Sequence, residues 1–297
     1  MSLQARIIKA ITRRQIKRSG LDEQQLVRHL RRVFNGTPPL SLIPRGIKIR
    51  RLSTDLFEGD HVFADDPQVT VLYVHGGAYI GGVTRTYHNL AARLAKKLHG
   101  EVYLVQYPFA PEHPFPAAVN RVLEAYRFLL AEGKKPENIV IAGDSAGGGL
   151  TLATLLHIRD QGLPHPRCAV TLSPGSSCFP VEEEIQAQDK SDAMLSADII
   201  RTVIDIYVPN PEDRKHPYAS PALGDYTGLP PIMILVSNEE VLYGDACRVR
   251  DAAQKAGVEV EWFERKGVFH VWPIMVPLLP EANKDLKKIV AFIQAHA

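Results

Sequence analysis

The spacing of apolar residues changes near residue 69. Before it they recur every three or four positions: Leu3, Ile7, Ile8 and Ile11, then Leu26, Val27, Leu30, Val33 and Phe34. That period puts them on one face of a helix and predicts two helices within residues 1–35, the second starting at Asp22, whose carboxylate suits an N-cap. A turn-rich stretch around Pro38, Pro39 and Pro44 ends the second helix, and two short strands are expected near 46–53 and 57–63. From there short apolar runs alternate with helical segments. The runs are Val69–Val74, Val102–Tyr107, Ile139–Ala142, Ala169–Ser173, Ile232–Val236 and Val258–Phe263. Helices are expected over about 86–99, 116–132, 145–159, 244–256 and 281–295. Short apolar strands alternating with helices predict an α/β fold, a mostly parallel sheet covered by helices on both faces.

Residues 174–225 interrupt this alternation with the acidic run Glu182-Glu183-Glu184, a helical stretch over about 196–207 and a Pro-rich loop. They read as an insertion over one end of the sheet. No repeat or low-complexity linker divides the chain, so residues 1–297 are expected to form a single domain. A chain of that size buries roughly 75% of its unfolded surface.

Composition excludes more than it reveals. Apolar residues make up 45% and charged residues 23%, ordinary for a globular protein. With 35 Lys and Arg against 33 Asp and Glu, the net charge of +2 is too balanced to suggest nucleic acid. Cys168, Cys178 and Cys247 are scattered and form neither a disulfide framework nor a metal-spaced cluster, so a reducing cytoplasm is the expected location. No stretch approaches the ~18 apolar residues of a membrane span. The N-terminus carries Arg6, Lys9, Arg13, Arg14, Lys17 and Arg18 before its first acid, Asp22. The favoured reading is an amphipathic helix packed on the protein, without membrane contact; the alternative is a helix on a membrane surface. Without an apolar core segment or a small-residue cleavage site, no secretory signal is expected.

The candidate chemistry starts at Gly143-Asp144-Ser145-Ala146-Gly147, a G-x-S-x-G run. Three fixed residues recur by chance in roughly one chain in ten of this length. The context adds weight: an apolar strand precedes the run and a helix follows, the strand–turn–helix setting that exposes a nucleophilic serine. A phosphate-binding glycine turn is the competing reading, but no G-x-G-x-x-G and no P-loop lysine accompany it. The run His75-Gly76-Gly77-Ala78-Tyr79 follows the strand Val69–Val74. Glycines let a backbone approach substrate closely, and Gly76, Gly77 and Ala78 with Ala146 form a candidate oxyanion hole. The N–H groups of Gly77, Ala78 and Ala146 are its expected donors, with His75 structural.

Three runs together resemble the hormone-sensitive-lipase family of α/β-hydrolases, in its HGG-type carboxylesterase branch. They are His75-Gly76-Gly77-Ala78-Tyr79, the stretch from Tyr107 through Pro111-Glu112-His113-Pro114 to Ala118, and Gly143 to Gly148. Leu229-Pro230-Pro231 before a strand also fits, and the likeness spans roughly residues 60 to 275. The resemblance implies an eight-stranded, mostly parallel sheet and a cap built from about residues 1–40 and 174–215. It implies His270 as the base, in a run whose Val271 and Trp272 resemble the subset of monoterpene ε-lactone hydrolases and acetyl-ester hydrolases. Aligning Leu242 with the family's motif leucine implies Glu240 as the acid, where Asp is usual, with Asp245 and Glu239 as alternatives. Asp144 is expected to be structural, and Glu112 and His113 to brace the loop near the oxyanion strand.

The reading that follows is a carboxylesterase acting on short-chain acyl esters, or lactones, through a Ser145–His270–Glu240 triad, needing no metal or organic cofactor. Tyr79, Tyr107 and the first two helices are candidate walls of an apolar substrate pocket. Relatives in that family often pair through an edge strand, which makes a homodimer a candidate assembly and leaves the oligomeric state open. The same triad could serve an amidase or arylformamidase. A non-catalytic small-molecule receptor is disfavoured, because Ser145 and His270 are both present with an acid between them.

Overall fold

The fold was determined as a computed structural model that describes residues 1–18, 20–36 and 40–296. Pro38 and Pro39 of the expected turn lie outside the described residues. The chain opens with α1 (Leu3–Gln15) and α2 (Glu23–Phe34). Asp22 caps α2 as its position suggested: its carboxylate accepts from the Gln25 N–H, and the Gln25 side chain accepts from the Asp22 N–H.

β1 (Lys48–Ser53) and β2 (Glu58–Phe63) form an antiparallel hairpin. The alternating part follows as β3 (Thr70–Val74), α3 (His88–Leu98), β4 (Glu101–Val105), α4 (Ala117–Ala131), β5 (Ile139–Asp144), α5 (Ala146–Asp160) and β6 (Cys168–Leu172). After the insertion come β7 (Ile232–Ser237), α8 (Tyr243–Lys255), β8 (Val260–Arg265) and α9 (Pro280–Ala295). The eight strands form one sheet in the order β1-β2-β4-β3-β5-β6-β7-β8, antiparallel through β2 and parallel from β4 to β8.

The continuous apolar runs are explained by burial on both faces. In β3, Leu72 and Val74 join the core under α4 and α5, whereas Val71 and Tyr73 join the core under α3 and α9. The strand expected at Val258–Phe263 begins two residues later, because Val258 still closes the turn after α8 through its N–H to the Ala253 carbonyl.

The insertion holds α6 (Glu182–Asp189) and α7 (Ala197–Tyr207). α6 was not expected; its three glutamates occupy the first helical turn, where the helix dipole favours negative charge. α7 packs on α2. α1 packs on the protein with only part of its apolar face. Ala5 is buried and Ile8 packs on the core, yet Leu3, Ile7 and Ile11 remain 69%, 51% and 49% exposed. Among the described residues no helix is long and apolar enough to cross a membrane.

Candidate active site

Ser145 sits in the turn between β5 and α5 with φ 53° and ψ −123°, a conformation unfavourable for a residue with a side chain. The flanking glycines make the turn possible. A Cβ on Gly143 would lie 2.3 Å from the Gly147 carbonyl oxygen, and one on Gly147 would lie 2.1 Å from the Val74 oxygen. Backbone bonds hold the strained residue: its N–H donates to the Leu172 carbonyl at 2.9 Å, and its carbonyl accepts from Gly175 at 2.9 Å.

The loops after β7 and β8 bring up two more side chains. The Ser145 hydroxyl lies 2.8 Å from His270 Nε2, and His270 Nδ1 lies 2.8 Å from Glu240 Oε2. A carboxylate only accepts, so Nδ1 carries the proton and leaves Nε2 bare to accept from the serine. Glu240 and His270 are both buried. The other Glu240 oxygen accepts from the Ser237 N–H at 3.2 Å. The Ser237 hydroxyl donates to the Val268 carbonyl at 2.9 Å, which ties the two loops together.

The electrostatics follow from burial and contact. Burial alone would lower the His270 pKa, but the hydrogen bond to Glu240 and the charges of Glu240, Asp192 and Asp144 outweigh it and raise the value above 6.5. Burial pushes the Glu240 carboxyl up, against the pull of His270.

The segment after β3 is wound tightly, with positive φ at Gly77, Ala78 and Tyr79. Its base rests on Asp144, whose Oδ1 accepts from the Gly76 N–H and the Tyr73 hydroxyl, both at 3.0 Å, and whose Oδ2 accepts from Tyr87 at 3.1 Å. Burial drives the Asp144 pKa up to about 6 against these donors. His75 Nδ1 donates to the Gly76 carbonyl at 2.7 Å, and burial lowers its pKa to about 4, so the ring is neutral. Among the described residues, the N–H groups of Gly77, Ala78 and Ala146 donate to no protein acceptor.

Two cavities meet at Ser145. One of about 50 Å³ runs between α2 and α7, lined by Tyr79, Ala146, Cys178, Val203, Ile204 and Tyr207 among others. The Tyr79 and Tyr207 rings stack there, 3.7 Å apart and 3° from parallel. The other, about 400 Å³, is lined by His270, Gly76, Gly77, Phe269 and Met275 and by Gln15 and Val33 of the first two helices.

This arrangement has counterparts. A sequence profile for a family described as an α/β-hydrolase fold matches residues 71–274. An acetyl-hydrolase of Streptomyces hygroscopicus is 39% identical over 225 residues, 76% of this chain and 75% of that protein. An esterase of Acinetobacter venetianus is 31% identical over 83% of this chain and 82% of its own. The crystal structure of an esterase from the bacterial hormone-sensitive lipase family superposes with a TM-score of 0.90 at 28% identity, covering 100% of this chain and 99% of that one. The chain belongs to the hormone-sensitive-lipase family of α/β hydrolases. Like the esterases it resembles, this family member is a serine carboxylic ester hydrolase.

Of the three candidate acids only Glu240 touches His270. Glu239 pairs with Lys9, and Asp245 pairs with Arg248 while burial raises its pKa to about 7. Gly76 was counted in the candidate oxyanion hole, but its N–H is taken by Asp144 and the Tyr87 hydroxyl. Tyr107 was a candidate pocket wall, but it lies behind the His75 ring, stacked at 4.6 Å with its hydroxyl on the His75 carbonyl, and lines neither cavity at Ser145. Tyr79 does line one.

Glu112 braces differently from expectation. Half-exposed, it forms an ion pair with Arg31 of α2, which also donates to the Ile80 and Ala110 carbonyls. Arg31 and Asp192 are residues that sequence reasoning missed. Asp192 is buried in the insertion and accepts from Val241, next to Glu240, at 2.9 Å. The spacing of a single sequence carries no signal for either long-range contact.

Proposed function

We propose that the chain hydrolyses short-chain acyl esters through an acyl-enzyme on Ser145, with His270 as general base and then acid, and Glu240 holding the imidazole. The observation that carries this reading is the unbroken chain Ser145 Oγ–His270 Nε2–Glu240, with both links at 2.8 Å. His270 takes the serine proton as Oγ attacks the ester carbonyl. The developing oxyanion is met by the N–H groups of Gly77, Ala78 and Ala146, each such donor worth about 3 kcal/mol. His270 then protonates the leaving alcohol, and water repeats the sequence on the acyl-enzyme.

The cavities support an assignment of sides. The leaving oxygen must lie near His270, so the large His270-lined cavity takes the alcohol and the small cavity under α7 takes the acyl chain. Some 50 Å³ suits a chain of a few carbons, which agrees with the acetyl-hydrolase relative. In this reading α1, α2, α6 and α7 form the cap of a single α/β-hydrolase domain, residues 1–297. No step calls for a metal or an organic cofactor.

The test is Ser145→Ala assayed on p-nitrophenyl esters from acetyl to dodecanoyl. Turnover should fall on the order of 10⁶-fold, as when serine proteases lose this group. Wild-type rates should peak at the short chains. Undiminished hydrolysis by the variant removes the acyl-enzyme, and a dodecanoyl optimum removes the assignment of the small cavity. A matched ester–amide pair separates an esterase from an amidase, and lactones belong in the same panel.

A further inference from the structure

Residues 1–36 contain nine Lys and Arg against two acids, although the whole chain carries a net charge of only +2. Three of the nine, Lys9, Lys17 and Arg31, are spent on ion pairs with the body of the protein. Arg6, Arg14, Arg18, Arg28 and Arg32 are exposed, and none forms an ion pair among the described residues. Arg14, Arg18, His29 and Arg32 border an open groove of about 710 Å³ between α1 and α2. On α1, Leu3, Ile7 and Ile11 form a stripe at i, i+4 and i+8 that the described fold leaves largely open, 69%, 51% and 49% exposed. Ile11 reaches the basic groove itself. Gln15, Val33 and Gly36 line both that groove and the cavity holding Ser145 and His270, so the basic face is the rim of the active-site entrance.

We propose that the α1–α2 face docks on an anionic phospholipid surface, with the arginines on headgroup phosphates and Leu3, Ile7 and Ile11 entering the interface, so that the substrate cavity opens toward the membrane. A soluble anionic ligand would account for the arginines but not for the bare apolar stripe. A second copy of the chain would have to bring the same positive charge against itself. An anionic interface satisfies both features at once. The docking needs no chemistry at Ser145. The esterase reading enters only in its consequence, that esters partitioning into the membrane reach the cavity from that side.

The experiment uses the full-length Ser145→Ala protein, so that binding is judged apart from hydrolysis. It is sedimented with vesicles of phosphatidylcholine alone and of phosphatidylcholine mixed with phosphatidylglycerol. Binding is expected only to the mixed vesicles. It should be released when salt rises from about 0.1 M to about 1 M, which shortens the screening length from about 10 Å to about 3 Å. Arg14→Gln with Arg18→Gln should lower partitioning roughly thirty-fold, about fivefold for each lost cation. Leu3→Ser with Ile7→Ser should also weaken binding, while in the otherwise wild-type enzyme it leaves p-nitrophenyl acetate turnover and the melting temperature unchanged. Failure of the parent protein to bind the mixed vesicles overturns the proposal. So does binding indifferent to both pairs of substitutions, or a dimer in light scattering that the Leu3/Ile7 pair dissolves.

Discussion

Replacing Glu240 by Gln would test the site most sharply, because the two shapes are nearly identical and only hydrogen-bonding character changes. One Glu240 oxygen accepts from His270 Nδ1 at 2.8 Å and the other from the Ser237 N–H at 3.2 Å. A carboxylate serves both donors, whereas an amide has one oxygen. If that oxygen stays on Ser237, the NH₂ faces Nδ1, which must then accept. The ring proton moves to Nε2, and His270 donates to Ser145 instead of accepting from it. If the amide flips, its NH₂ meets the Ser237 N–H in a buried site, leaving donors unpaired at about 1–3 kcal/mol. The first arrangement disables the base. In serine proteases the equivalent tautomer error lowers kcat about 10⁴-fold, or about 5.5 kcal/mol of barrier.

A second signature is independent of the rate. The His270 pKa is raised because Glu240 overcomes burial, so the acid limb of kcat/KM should lie above pH 6.5 in the parent. Without the carboxylate, burial should carry it below 6.5. The assay is the pH profile of p-nitrophenyl acetate hydrolysis, with Glu239→Gln and Asp245→Asn as controls expected to keep kcat within about tenfold, since neither residue touches His270. A Glu240→Gln enzyme within tenfold of the parent, or one whose acid limb stays in place, would refute the reasoning.

Four further outcomes are expected. Gly77→Ala puts a Cβ 1.8 Å from the Gly81 carbonyl oxygen at φ +135°, so the loop must shift, kcat should fall about 10²–10³-fold and the melting temperature should drop with the strain of about 1–3 kcal/mol. Ile204→Ala widens the small cavity and should raise the octanoyl-to-acetyl ratio of kcat/KM roughly tenfold; an unchanged ratio would move the acyl chain elsewhere. Burial opposes the charge of Glu101, but hydrogen bonds from His61, Lys134 and Thr70 prevail and lower its pKa from 4.5 to about 2. That stability is complete above pH 4.5 and lost as pH falls toward 2, so Glu101→Gln should remove about 3 kcal/mol of acid sensitivity from urea melts across that window. Asp285 is fully buried and takes hydrogen bonds from Arg265 and the Trp272 indole, so Asp285→Ala should cost about 3 kcal/mol in denaturant unfolding.

Much of this architecture was legible because its determinants are local. The apolar runs, the Asp22 cap and Gly143 each act within a few residues, and the three motif runs carried the family. What was not legible depended on direction and distance. Tyr107 sits in a motif beside the site, but its ring turns behind His75, and nothing in the order of residues states which side of a loop faces a cavity. Gly76 is a glycine among candidate donors, but which N–H stays free is decided by Asp144, some seventy residues later. α6 had a local signal, since three glutamates opening a segment favour a helix start, but the run is followed by no clear 3.6-residue apolar period. The stripe on α1 has the period of a packed helix, and period alone does not reveal what lies against it.

The attachment of α2 bears on how such an enzyme diversifies. Arg31 reaches the carbonyls of Ile80 and Ala110 and the Glu112 carboxylate, and Asn35 accepts from the Gly82 N–H at 2.7 Å. These contacts fix the end of α2 to the backbone that follows the glycine run, and three of the four acceptors and donors they use are main-chain groups, present whatever side chains surround them. The residues of α2 that face the cavities, Leu30, Val33 and Phe34, take no part in that attachment. Selectivity and chemistry are thereby inherited separately. A change at Phe34 or Val33 alters which molecules are admitted without disturbing the reacting groups, whereas a change at Arg31 loosens the end of the helix from the loops beside the site and blurs both. Libraries that vary Val33 and Phe34 around a fixed Arg31 and Asn35 would sample new substrates from a working catalyst.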